Sequence, residues 1–161
     1  MLLFFVRHGD PVYSPEELTP LGLRQAEAVA KRLALYGIDK IYSSCLKRAR
    51  QTATPLSEYV KKEPVILDWC SEELAWKEFA LDLDDTGHRG WAFQHHPEMF
   101  NDKAVLSLGE NWTEHKNFKG TSFESGMKRI RKEADDFLLS LGYKHDRENR
   151  VYIPVAPTEE R

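Results

Sequence analysis

The chain has 161 residues, a length that suits one domain able to bury a sizeable core. Lysine and arginine total 23 against 26 aspartates and glutamates, a formal net charge of -3, which excludes the basic surplus or stripe of a nucleic-acid binder. Cys45 and Cys70 show neither C-x-x-C nor zinc-ligand spacing, and no apolar stretch approaches a membrane span, so a cytoplasmic protein with reduced thiols and no membrane contact is expected.

Leu2–Val6 is a short apolar run and predicts a buried parallel strand. Arg7-His8-Gly9 follows at its carboxyl end, the place where ligands bind in open α/β sheets. Arg7 offers a planar fork of donors suited to phosphate oxygens, and a neutral His8 has a nitrogen that can attack phosphorus. Gly9 lets the backbone turn sharply and approach a ligand. A surface tripeptide with a strand-terminal arginine explains the same residues equally well when they are read alone.

Thr19 as cap, Pro20 in the first turn and Gly37 as terminator predict a helix whose core face is Leu23, Ala26, Ala30 and Leu33. A second short strand is predicted at Lys40–Tyr42 and a helix from about Leu46 to Val60, kinked or broken at Pro55. Val65–Leu67 predicts a third strand, and the alternation of strands with helices implies a parallel sheet flanked by helices. Residues 68–120 show no clean period, although Trp76, Trp91 and Trp112 lie among their acids, histidines and glycines. Within this stretch His88, His95 and His96 have no partner four residues on and complete no recognisable ligand set, so no metal is expected. Thr121-x-x-Glu124 reads as a capping box. It opens a helix with Phe123, Met127, Ile130, Ala134, Phe137, Leu138 and Leu141 on its apolar side, closed by Gly142. Val151–Val155 follows as a strand that Pro154 limits to an edge.

Leu3-Phe4-Phe5-Val6-Arg7-His8-Gly9, Leu18-Thr19-Pro20-Leu21-Gly22 with Gln25-Ala26, and Ser43-Ser44-Cys45-Leu46-Lys47-Arg48-Ala49-Arg50-Gln51-Thr52-Ala53 occur in that order. In order and spacing they resemble the histidine phosphatase (phosphoglycerate mutase-like) superfamily over roughly the first half of the chain. The resemblance implies a three-layer α/β/α domain with a mostly parallel central sheet, residues 68–120 being a variable lid over the active site. It implies a phosphomonoester hydrolase that needs no cofactor and acts on a small phosphorylated metabolite. His8 would be the nucleophile, forming a transient phosphohistidine, and its second ring nitrogen would be held by a backbone carbonyl. Arg7 and Arg48 would clamp the phosphoryl oxygens, and Ser14 and Thr19 could add hydrogen bonds to phosphate or substrate. The family's proton-donating carboxylate aligns best with Glu72, with Glu73 second.

Two departures from the family pattern matter. Cofactor-dependent mutases usually follow Arg-His-Gly with a Glu-Ser-x-x-Asn-like segment, whereas here the residues are Asp10-Pro11-Val12-Tyr13-Ser14, which favours a phosphatase over a mutase. The family's second catalytic histidine, set after a late core strand, has no counterpart, and Glu159-Glu160-Arg161 resembles the turn that leads into that strand. The expectation is therefore a domain lacking its C-terminal part, either a fragment of a full enzyme or a short relative that kept phosphate binding without catalysis. The retention of Arg7, His8, Arg48 and an acid favours the fragment. A missing strand would expose sheet edge and encourage self-association.

Overall fold

Pro11 and Leu18 begin and close a hairpin of β1 (Pro11–Tyr13) and β2 (Glu16–Leu18), paired antiparallel with Val12 opposite Glu17. These strands belong to a computed structural model of the chain that describes residues 1–83 and 86–155. The turn expected at Glu159-Glu160-Arg161 lies outside the described residues. The chain divides into two compact units, Met1–Glu72 and Glu73–Arg161.

In the first unit, α1 (Pro20–Ala34) begins where expected: the Gly22 N–H donates to Thr19 Oγ1 at 3.0 Å, and Pro20 occupies the first turn. Its buried stripe is Gly22, Ala26 and Ala30. Ala26 and Ala30 lie inward as expected and Leu33 packs against the cluster around Ala30, whereas Leu23 is 48% exposed and Gly22 takes the inward place. The reason is close approach: a Cβ on Gly9 would come within 2.6 Å of the Gly22 carbonyl oxygen, and one on Gly22 within 2.2 Å of the Asp10 carbonyl oxygen. Two glycines let the first turn of α1 press against the loop after His8, turning that stripe inward.

β3 (Tyr42–Ser43), α2 (Lys47–Val60) and β4 (Val65–Ile66) form a βαβ unit, the two strands lying parallel with Tyr42 opposite Val65 and Ser43 opposite Ile66. α2 runs unbroken through Pro55, giving up the hydrogen bond that the missing N–H cannot make. Ala30, Ile41 and Leu56 form the buried cluster, with Leu33, Ile38, Ala53 and Val60 packed against it.

Leu2–Val6 does not form the expected buried strand. It pairs with no strand among the described residues, and Leu2, Phe5 and Val6 are 70%, 91% and 47% exposed. Apolar composition marks a segment able to enter a sheet, but only a neighbouring backbone supplies the ladder that makes it a strand. The described residues accordingly hold four two-stranded sheets, of which β3–β4 alone is parallel, rather than one mostly parallel central sheet.

The second unit holds most of 68–120, and despite its lack of period it is ordered. After α3 (Glu72–Phe79), β5 (Ala80–Asp82) pairs antiparallel with β6 (Arg89–Trp91). Three short helices follow, α4 (Ala92–His95), α5 (Pro97–Asn101) and α6 (Lys103–Ser107). They enclose Ala92, Val105, Phe118 and Phe123, against which Phe79, Leu81, Met99, Phe100 and Trp112 pack. The Phe118 and Trp112 rings meet edge to face at 4.8 Å, a favoured aromatic geometry.

The last helix, α7 (Phe123–Ser140), starts one residue later than the capping box implied. The Phe123 N–H donates to Thr121 Oγ1 at 3.3 Å, while Glu124 pairs forward with Lys128 Nζ at 2.5 Å instead of reaching back. β7 (Tyr143–Asp146) and β8 (Val151–Pro154) pair antiparallel, with Pro154 at the end of its strand. Asp135 of α7 ties this hairpin down: His145 Nδ1 lies 2.9 Å from Oδ1, the Tyr152 hydroxyl donates to Oδ1 at 2.6 Å, and Arg147 donates to Oδ2 at 2.5 Å. Burial pushes the Asp135 carboxyl up, but the hydrogen bonds from Tyr152 and His145 and the charges of His145 and Arg147 outweigh it and hold the group below its ordinary value. Burial and the bond to Asp135 push the Tyr152 phenol up to about 12.

Candidate active site

The ends of β3 and β4 and the loop ahead of β1 bring together the residues that matter. Arg48 lies in the first turn of α2, whose cap is Leu46, and is buried at 6% exposure. Its Nη1 donates to Glu16 Oε1 at 2.8 Å, its Nη2 donates to Glu72 Oε2, and its guanidinium carbon sits 5.3 Å from the Tyr13 ring centroid. Its Nε–H, also buried, has no acceptor among the described residues. A buried guanidinium N–H without an acceptor is costly, and an anion reaching this open donor would have to compete with the two carboxylates already paired to the guanidinium.

Thr52, one turn along α2, joins this arginine to the loop that carries the histidine. The Gly9 N–H donates to Thr52 Oγ1 at 3.1 Å, and the Thr52 hydroxyl donates to the Arg48 carbonyl at 2.8 Å. His8 is half-buried, and its Nδ1 lies 2.8 Å from the Gly9 carbonyl oxygen. A proton on Nδ1 satisfies that contact and leaves the Nε2 lone pair for attack. The loop is fixed further by the Asp10 N–H donating to Gln25 Oε1 at 2.8 Å and by the Thr19 hydroxyl donating to Asp10 Oδ2 at 2.7 Å.

The predicted residues therefore divide. His8, Arg48 and Glu72 enter one connected polar network of the first unit. Thr19 is engaged in capping α1 and holding Asp10, Ser14 is exposed between β1 and β2, and Arg7 is exposed. Glu73 is exposed, and Glu72 is the carboxylate that reaches Arg48. Three participants escaped the sequence reading: Glu16, Thr52 and Tyr13. Thr52 lay inside the Gln-Thr-Ala segment already singled out, whereas nothing local marks Glu16 or Tyr13, because their roles depend on the hairpin folding over α2.

The sequence profile of the histidine phosphatase superfamily, branch 1, matches residues 3–140. The chain belongs to the histidine phosphatase superfamily. Among curated relatives, a Hydrogenobacter thermophilus protein provisionally named phosphoserine phosphatase 2 is 27% identical over 144 residues, which cover 83% of this chain and 65% of that protein. The chain thus spans a little under two thirds of the length of this relative. Solved structures similar to this chain include the phosphoserine phosphatase of Entamoeba histolytica in complex with 3-phosphoglyceric acid, at 24% identity and a TM-score of 0.46, covering 90% of this chain and 66% of that one. A mycobacterial glucosyl-3-phosphoglycerate phosphatase with inorganic phosphate matches at 18% identity and a TM-score of 0.37, over 75% and 73% of the two chains.

Proposed function

We propose that this chain carries the phosphoryl-transfer site of a phosphomonoester hydrolase acting on a small phosphorylated metabolite, with phosphoserine the first to test. The observation that carries this reading is the buried Arg48 with an open Nε–H, linked through Thr52 to the loop that carries His8. Arg48 and Arg7 bind the phosphoryl oxygens, and their hold strengthens as charge builds in the transition state. His8 Nε2 attacks phosphorus and the ester P–O bond breaks. An incoming phosphate competes with Glu72 for Arg48 and frees that carboxylate, which takes a proton from solvent and hands it to the leaving oxygen. Water then attacks phosphorus and gives its proton to the carboxylate so regenerated as the P–N bond breaks, releasing phosphate and restoring the imidazole. Ser14 and Thr19 are secondary contacts for the substrate.

The reading includes the three-layer α/β/α arrangement of the family and a lid role for 68–120. Exposed Leu2, Phe5 and Val6 offer a surface for self-association. Among the described residues no helix is long and apolar enough to cross a membrane, and we place the protein in the cytoplasm. The reaction asks for no cofactor and no nucleic acid.

The test is phosphate release from phosphoserine and p-nitrophenyl phosphate, run beside interconversion of 3- and 2-phosphoglycerate. Hydrolysis without interconversion is expected. Interconversion exceeding hydrolysis would assign a mutase instead, and stoichiometric phosphate binding without any turnover would leave a binding module.

A further inference from the structure

Cys45 and Cys70 take no part in the phosphate chemistry, yet the fold places them together. Cys45 lies two residues beyond β3 and Cys70 four beyond β4, and these strands are parallel neighbours. Behind the cysteines, the Leu67 N–H donates to the Ser43 carbonyl at 2.8 Å. Ahead of them, Arg48, three residues after Cys45, is paired with Glu72, two residues after Cys70. The two segments are therefore clamped to one another on both sides of the thiols. Both cysteines are exposed, and Cys70 Sγ lies 3.0 Å from the Leu67 carbonyl oxygen. Burial pushes the Cys70 thiol up, and Cys45 adds a smaller push in the same direction.

We propose that Cys45 and Cys70 are a dithiol site that closes to an intramolecular disulfide on meeting a low-molecular-weight disulfide, and that closure holds Glu72 against Arg48 and weakens phosphate binding. In the first step the Cys45 thiolate attacks one sulfur of the small disulfide, expelling one small thiol and leaving a mixed disulfide. The Cys70 thiolate then attacks Cys45 Sγ and expels the second small thiol. The small fragments leave as thiolates and take up the two protons lost by the protein thiols; the protein loses two electrons and the small disulfide gains them. Exposed thiols that exchange in this way are the reversible, regulatory kind rather than the structural kind. The effect on phosphate rests on the reading of Arg48 as a phosphate ligand; the dithiol site does not.

The full chain is equilibrated in a graded oxidised-to-reduced glutathione series, and its peptides are mapped by mass spectrometry without reduction. The expected product is a monomer with Cys45 linked to Cys70, while C45S and C70S each carry one glutathione on the remaining cysteine. Wild-type chains bearing two separate glutathiones, or linked only between molecules, would overturn the site. Inorganic phosphate is then titrated calorimetrically into the reduced and oxidised chains. Binding is expected to weaken about tenfold on oxidation, to recover with dithiothreitol, and to be unaffected by the same treatment in C45S. A disulfide that forms without changing phosphate affinity would overturn the regulatory half alone. A reduced chain that binds no phosphate would overturn the phosphate reading of Arg48 and the regulatory half with it, the dithiol site being decided by the peptide map.

Discussion

The first unit buries aliphatic side chains and a charge; the second packs rings. The buried groups of the first unit include Leu18, Ala26, Ala30, Ile41, Leu46 and Leu56, together with Arg48, Ser43 and Ser71. In the second unit Phe79, Phe100, Trp112, Phe118 and Phe123 pile against one another with centroids 4.8 to 6.1 Å apart. Each ring buries about 150–250 Å² and adds edge or stacking energy to that burial. The aromatic unit thus gains its stability from apolar area, whereas the first unit commits buried volume to a guanidinium and its carboxylates. Buried charge and packed aromatic area are concentrated in different parts of the chain.

The sharpest way to break this comparison is to remove a group from each side and ask which property fails. His8→Ala should abolish phosphoenzyme formation and lower turnover by about ten-thousandfold while leaving the unfolding midpoint nearly unchanged. Trapping with ³²P-labelled substrate in acid-free quench, beside a urea melt, checks both halves. Undiminished phosphoenzyme in the variant would take His8 out of the nucleophile's role. Phe123→Ala should do the reverse. Phe123 has no exposed surface, so truncation costs about 3–5 kcal/mol in urea unfolding, and activity should be lost only as the second unit unfolds.

A smaller effect separates two arginines on one helix. Arg48→Lys keeps the charge but loses the planar fork that spans Glu16, Glu72 and an incoming anion, so phosphate affinity should fall about 10- to 100-fold in a calorimetric titration. Arg50→Lys, on the exposed side of α2, should change it less than about twofold. Equal losses in the two would mean that the buried position of Arg48 has nothing to do with binding.

The smallest expected effect lies at the hairpin of the second unit. Tyr152 has a folded-state value of about 12, against about 10 in the unfolded chain. A raised value means that its stabilising bond to Asp135 is fully present below pH ~10 and is lost as the pH climbs to ~12. Asp135, held low, works in the opposite direction: its contribution is present above the unfolded carboxyl value near 3.9 and fades as the pH falls through the lower folded one. Urea stability of Tyr152→Phe and wild type should therefore differ at neutral pH and converge between pH ~10 and ~12. Parallel curves throughout would show that the Tyr152–Asp135 bond does not couple to folding.

Much of this was legible before any coordinates. Thr19 and Pro20 announce α1 because a cap and a first-turn proline act within four residues of each other, and Val65 announces β4 by the same local logic. His8 and Arg48 stand out as candidates because their motifs have fixed spacing along the chain, and Glu72 because it aligns best with the family's carboxylate, ahead of Glu73. The aromatic core could not: Phe79, Phe100, Trp112 and Phe123 are far apart in sequence and sit on short elements that no single period describes. The apolar run Leu2–Val6 misled for a related reason. Hydrophobicity states that a segment prefers to be covered, but a strand also requires a partner's backbone within hydrogen-bonding distance.

The sequence alone fixes the helices that start and stop on local signals, the family, and the residue types at the proposed phosphate site, since each is written in neighbouring positions. The tertiary structure decided what those residues touch. Only the fold sets Thr52 between Gly9 and Arg48, and Glu16 and Tyr13 against the guanidinium. Contacts between residues 32 to 43 positions apart depend on how β1–β2 and α2 pack, and a free-energy minimum over that packing is not encoded at any one of the positions it joins.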